Sequence, residues 1–65
     1  MPTIFFHCPK LNEDQKREAV DKMAQVGSDI TGIRKEAFVV YLEEKDPENV
    51  GVGGVMLKDK YAQNS

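Results

Sequence analysis

The chain has one cysteine, one histidine and no tryptophan among its 65 residues, and these shortages narrow the ways in which it can be stable. A lone Cys8 excludes an internal disulfide. Together with the lone His7 it falls short of the roughly four ligands of a closed zinc site. A domain of this size buries only about 60% of the surface its unfolded chain exposes. Oligomerisation is then the remaining support for so small a core. Long apolar runs are also missing, and none approaches the ~20 residues of a membrane span. Met1 leads into Pro-Thr rather than a basic segment and an apolar stretch, so no signal peptide is expected. Basic residues are too few and too scattered for a nucleic-acid stripe, with nine against eleven acidic ones and a net charge of −2. The expectation is one domain over residues 1–65, with no nucleic-acid or membrane partner. The single cysteine fits a reducing, cytoplasmic setting.

What is present is strongly patterned, and the 40% apolar content is too high for a disordered chain. Thr3 to Cys8 (TIFFHC) is β-branched and aromatic and stops at Pro9, which reads as a strand. Ile4, Phe6 and Cys8 face one side, and Thr3, Phe5 and His7 the other. With apolar groups on both faces, this strand is expected in the interior of a sheet. Asn12 then opens a helix, with Gln15 as capping-box partner and Glu13 and Asp14 at its positive end. Ala19, Met23, Val26 and Ile30 recur at helical spacing, and Gly32 is placed as a left-handed stop.

A second strand is expected over Ala37 to Leu42 (AFVVYL). Strand, helix of about twenty residues and strand make a βαβ unit with parallel strands and a right-handed crossover. Lys45 to Asn49 reads as a loop, and Val50 to Leu57 as a glycine-punctuated hairpin or bulged strand. Residues 58–65 read as a polar, mobile tail apart from Tyr61. The fold class is therefore α/β (α+β): a β-α-β subunit with a short C-terminal hairpin. Two strands and one helix leave a sheet face bare and an edge unpaired, so completion by other copies is expected.

Among candidate sites Pro2 comes first. Removal of Met1, usual before a small second residue, leaves a free secondary amine. Most chains beginning Met-Pro make no use of that amine. Here the proline runs directly into a buried strand, which holds its nitrogen rigidly, as a catalytic group requires. Apolar surroundings and nearby cations lower an amine's pKa, and a base acting at neutral pH needs this. Arg34 and Lys35 precede the second strand and so fall at the Pro2 end of a parallel sheet. Lys10 lies eight residues beyond Pro2, about 26 Å at roughly 3.3 Å per residue, and can reach a Pro2 only in another subunit. Gly51, Gly53 and Gly54 have neither P-loop nor dinucleotide spacing, and a tight turn accounts for them better. His7 and Cys8 are neighbours on opposite faces and cannot form a nucleophile–base pair; a core cysteine and a surface or interface histidine are expected.

Pro2, the first strand, the helix opening Asn12-Glu13-Asp14-Gln15-Lys16, the second strand and Gly51-Val52-Gly53-Gly54 stand in an order that resembles the 4-oxalocrotonate tautomerase family over residues 2 to 57. The resemblance implies a homohexamer, a trimer of dimers. It implies a cofactor-free isomerase of aromatic catabolism, acting on unsaturated 2-oxo or 2-hydroxy acids such as 2-hydroxymuconate. Pro2 matches the family's general base. The family's arginine after the first strand is absent, with Lys10 the nearest cation, one position short. Its second arginine falls at Val39, and its pocket aromatic at Val50. Carboxylate binding would pass to Lys10, Arg34 or Lys35. Other Pro2-dependent reactions (a hydratase, dehalogenase or decarboxylase-like enzyme) and a non-catalytic binding oligomer are the alternatives.

Overall fold

The computed structural model describes residues 1–63. Strand β1 (Thr3–Cys8) leads to helix α1 (Glu13–Thr31), then to β2 (Val39–Glu44), a short hairpin of β3 (Gly51–Val52) and β4 (Val55–Met56), and helix α2 (Leu57–Gln63). β1 and β2 pair in parallel with Thr3 opposite Val39 and Cys8 opposite Glu44, while β3 and β4 pair antiparallel. The expected β-α-β subunit with a terminal hairpin is thus observed.

Local chemistry explains the boundaries. Asn12 Oδ1 accepts from the Gln15 N–H at 2.8 Å, and Gln15 Oε1 accepts from the Asn12 N–H at 3.0 Å, a complete capping box. Gly32 ends α1 at φ 77°, a conformation that penalises a side chain. The nineteen residues of α1 rise about 28 Å at ~1.5 Å each, enough to return the chain to the end where β1 began. In the hairpin, Gly53 and Gly54 both have positive φ, as a two-residue turn matching strand twist requires.

Three expectations are corrected. β2 begins at Val39 rather than Ala37 and continues to Glu44. Lys35–Ala37 form a single 3-10 turn, and pairing with His7 and Cys8 carries the strand through Glu43 and Glu44 despite their charge. Within the single chain β1 is an edge rather than an interior strand, because among the described residues its sheet has only two members. The polar run from residue 58, expected as a mobile tail, is helical as far as Gln63; Leu57 anchors its first turn by donating its N–H to Val50 O at 2.7 Å. Asn64 and Ser65 lie outside the described residues.

The core is small. Cys8 and Ala24 are the buried apolar residues, where α1 crosses the sheet. Val26, Ile30, Phe5 and Tyr41 remain exposed, Ile30 at 78% and Phe5 at 59%. The stripe read on α1 is therefore only partly covered by its own sheet. The radius of gyration, 15.4 Å, exceeds the ~11 Å expected of a compact chain of this length. The accessible surface of 5041 Å² likewise exceeds the ~4,200 Å² expected at this mass. Among the described residues no helix is long and apolar enough to cross a membrane.

Candidate active site

Pro2 heads β1 and is half-buried. Its carbonyl accepts the Val39 N–H at 2.9 Å, which continues the parallel ladder one step beyond the strand. By strand parity Pro2 belongs to the helix-facing side with Ile4 and Phe6. Phe38 lies on the same side, its ring so close to α1 that a Cβ on Gly27 would stand 2.5 Å from Cε1. The ladder bond fixes where the proline's backbone sits. Met1, by contrast, is 91% exposed.

Arg34 and Lys35 lie at this same end, in the turn that delivers Val39 to Pro2. They differ in availability. The Lys35 ammonium is 2.5 Å from Asp21 Oδ1, fourteen residues away on α1, and so ties the turn to the helix. Arg34 is exposed and has no ion pair among the described residues. Val39 is half-buried in the ladder itself.

Lys10 and Val50 fall elsewhere. Lys10 follows β1 at the opposite end of the sheet, near Glu44. There the Glu44 carboxylate accepts the Leu11 N–H at 2.9 Å and pairs with Lys16 at 3.1 Å. The Leu11 N–H, then Lys16, hold this carboxyl below its ordinary value, with burial opposing them. Val50 lines a cavity of about 310 Å³ with His7, Cys8, Pro9, Leu57 and Tyr61. A single chain therefore gathers Pro2, Arg34, Lys35 and Val39 at one end of the sheet and leaves Lys10 and Val50 at the other, beyond the far end of β1.

Two features of this site are not evident from the amino-acid pattern. Asp21 reads as part of a solvated helix face until the fold brings it to Lys35. Phe38 reads as a strand residue, and its seat over Gly27 shows only once α1 and β2 are packed; a glycine among bulky helix residues is the one available signal. Cys8 is buried at 5% exposure and His7 is exposed, as their opposite faces require. Among the described residues no cluster of three or more His, Cys, Asp or Glu is arranged to hold a metal.

Known proteins share this fold. The family model for tautomerase enzymes matches residues 2–60. A probable tautomerase of Bacillus cereus is 38% identical over 48 residues, covering 74% of this chain and 79% of that protein. The 2-hydroxymuconate tautomerase of Bacillus subtilis is 34% identical over 47 residues, covering 72% and 76%. Among solved structures, DmpI from Archaeoglobus fulgidus superposes with a TM-score of 0.81 at 36% identity, across 89% of this chain and 100% of that one. With a match from Pro2 into α2, and relatives identical at more than a third of aligned positions, the chain belongs to the tautomerase enzyme family.

Proposed function

We propose that the Pro2 nitrogen, freed by removal of Met1, is the general base and then the general acid of a cofactor-independent tautomerase acting on unsaturated 2-hydroxy or 2-oxo acids such as 2-hydroxymuconate. The observation that carries this reading is the 2.9 Å bond from the Val39 N–H to the Pro2 carbonyl, which pins the terminus at the head of a strand instead of leaving it on a tail. The neutral amine takes a proton activated by the conjugated carbonyl system and becomes an ammonium, leaving a dienolate. The ammonium returns that proton to another carbon, so one nitrogen serves both steps and the reaction balances without an oxidant or reductant. Arg34 is the cation placed to hold the carboxylate and to stabilise the developing negative charge, since Lys35 is engaged by Asp21.

The same reading includes assembly. The free edge of β1 adjoins an apolar groove of about 450 Å³ lined by Ile4, Phe6, Met23, Val26 and Ile30. A second copy pairing along this edge would cover the groove with its own helix and close the apolar surface around Pro2. A homohexamer built as a trimer of dimers is the assembly this family membership suggests. Val39 and the absence of an arginine beside Lys10 favour a second reading, in which the Pro2 amine serves a hydratase, dehalogenase or decarboxylase-like reaction.

Activity of the Met1-free protein on 2-hydroxymuconate tests the proposal. Pro2→Ala, which leaves a primary amine, is expected to lower kcat by about 10²-fold or more. An unchanged kcat in that variant, with the protein folded, refutes the base role.

A further inference from the structure

The segment between α1 and β2 carries Arg34, and its backbone is tied down by side chains of the helix it has just left. Helix α1 ends at Thr31, and Gly32 turns the chain by donating its N–H to Ser28 O at 2.9 Å. Ile33 comes next, and hydroxyls of the last helical turn take both of its backbone polar groups. Its N–H donates to Thr31 Oγ1 at 3.1 Å, and its carbonyl accepts from the Ser28 hydroxyl at 2.6 Å. The Thr31 hydroxyl also donates to Gly27 O at 2.8 Å, which fixes it in turn.

A peptide unit is planar, so holding the Ile33 carbonyl also places the N–H of Arg34 at the other end of the same unit. The unit on the far side of Arg34 is held as well, because Arg34 O accepts the Ala37 N–H at 3.0 Å. Bonds on both sides of its Cα therefore keep Arg34 at φ −60° and ψ 143°. Lys35 adds a tie to Asp21, but through its side chain and through neither of these two units. The Arg34 guanidinium has no ion pair among the described residues. A long side chain that leaves a fixed backbone loses less freedom on gripping a ligand than one on a loose loop. The helix itself has little need of a hydroxyl at position 28. Serine is a weaker helix former than alanine, and Gly32 already closes the helix end.

We propose that Ser28 is a positioning residue for substrate binding: through the Ile33–Arg34 peptide its hydroxyl sets where the Arg34 guanidinium meets the substrate carboxylate. The proposal rests on the reading of Arg34 as the carboxylate-binding cation of the Pro2 site. Thr31 plays the lesser part, since it holds the unit before Ile33 rather than the one that contains the Arg34 N–H. Neither hydroxyl touches Pro2, so binding should change and the chemical step should not.

The Met1-free protein is titrated with muconate, which has the diene and carboxylates of 2-hydroxymuconate but no hydroxyl to tautomerise, and is assayed on 2-hydroxymuconate itself. Arg34→Ala is expected to weaken muconate binding about tenfold. Ser28→Ala is expected to weaken it about fivefold and to raise KM alike, with kcat within about twofold. Ser28→Thr keeps the hydroxyl and is expected to stay within about twofold of the unmodified protein. The double variant Ser28→Ala/Arg34→Ala is expected to bind no more weakly than Arg34→Ala alone, as for a residue that acts through the arginine. Thr31→Val applies the same test at a second point, and it decides the matter if Ser28→Ala does not fold. Its expected loss is about twofold to threefold, again absent once Arg34 is alanine. Full muconate affinity in Ser28→Ala, or an equal loss with and without Arg34, overturns the positioning role while leaving Arg34 as the carboxylate-binding group. Unchanged binding in Arg34→Ala overturns the reading of that cation, and this proposal with it.

Discussion

The backbone N–H of Val39 donates to the carbonyl oxygen of Pro2 across 2.9 Å. This bond makes Pro2 part of the sheet rather than a frayed end. Terminal residues are ordinarily among the most mobile of a domain unless tied down. Here β2, the last long element to be laid into the sheet, positions the nitrogen that begins the first.

Arg34 and Lys35 are adjacent cations of similar exposure to the eye of a sequence reader, but the ion pair with Asp21 separates them. Arg34→Ala is expected to raise KM for an unsaturated 2-hydroxy acid about tenfold, with kcat changed much less. Lys35→Ala is expected to leave KM within about twofold. It should cost no more than about 1 kcal/mol of stability, as for a partly exposed ion pair. Steady-state kinetics on both variants checks the assignment, and the reverse ranking would move carboxylate binding to Lys35.

Gly27 sits in the interior of α1, where alanine is ordinarily favoured by about 1 kcal/mol. A Cβ there would stand 2.5 Å from Phe38 Cε1 and 3.0 Å from two neighbouring ring atoms. Gly27→Ala is therefore expected to destabilise the fold by about 1–2 kcal/mol, the overpacking cost outweighing the propensity gain. Because Phe38 lies beside Pro2 in the sheet, kcat should fall as well. Thermal unfolding and kinetics of this variant provide the check.

Glu44 links the end of β2 to the entry of α1 through the Leu11 N–H and Lys16. These partners favour the ionised carboxyl and lower its pKa in the folded chain beneath the ordinary 4.5. A depressed folded value means the contribution to stability is complete above about pH 4.5 and is lost as pH falls through the folded value. Glu44→Gln should therefore show a flatter decline of Tm below pH 4.5 than the unmodified protein, measured by thermal unfolding across an acid series.

Much of the fold can be read in the residues because each boundary has its own local cause. Asn12 with Gln15, Gly32, and the Gly53-Gly54 pair are short-range signals, and all three take the geometry their types prefer. The start of β2 is harder to see, since Ala37 and Phe38 suit a strand as well as Val39 does. The 3-10 turn over Lys35–Ala37 is set by packing against α1 instead. Helix α2 is hidden for a similar reason: a run of Lys, Asp and Gln has helix propensity but too little apolar surface to announce a packed element. At the candidate site, Pro2, Arg34 and Lys35 are visible from order alone, because parallel strands put them at one end. The Asp21 partner and the cavity beside Val50 depend on contacts across long stretches of chain, which no local pattern encodes.

As general base, Pro2 is expected to be an uncharged amine near neutral pH. Nitrogen-15 NMR titration of Pro2 in the Met1-free assembly measures this directly. Ordinary α-amino groups titrate near about 7.7–8.0, and proline's secondary amine is intrinsically more basic. Apolar cover and the neighbouring Arg34 should bring Pro2 below that range. A titration midpoint at or above the value of a free proline terminus would contradict the account, because the nitrogen would then be protonated where it is required to accept a proton.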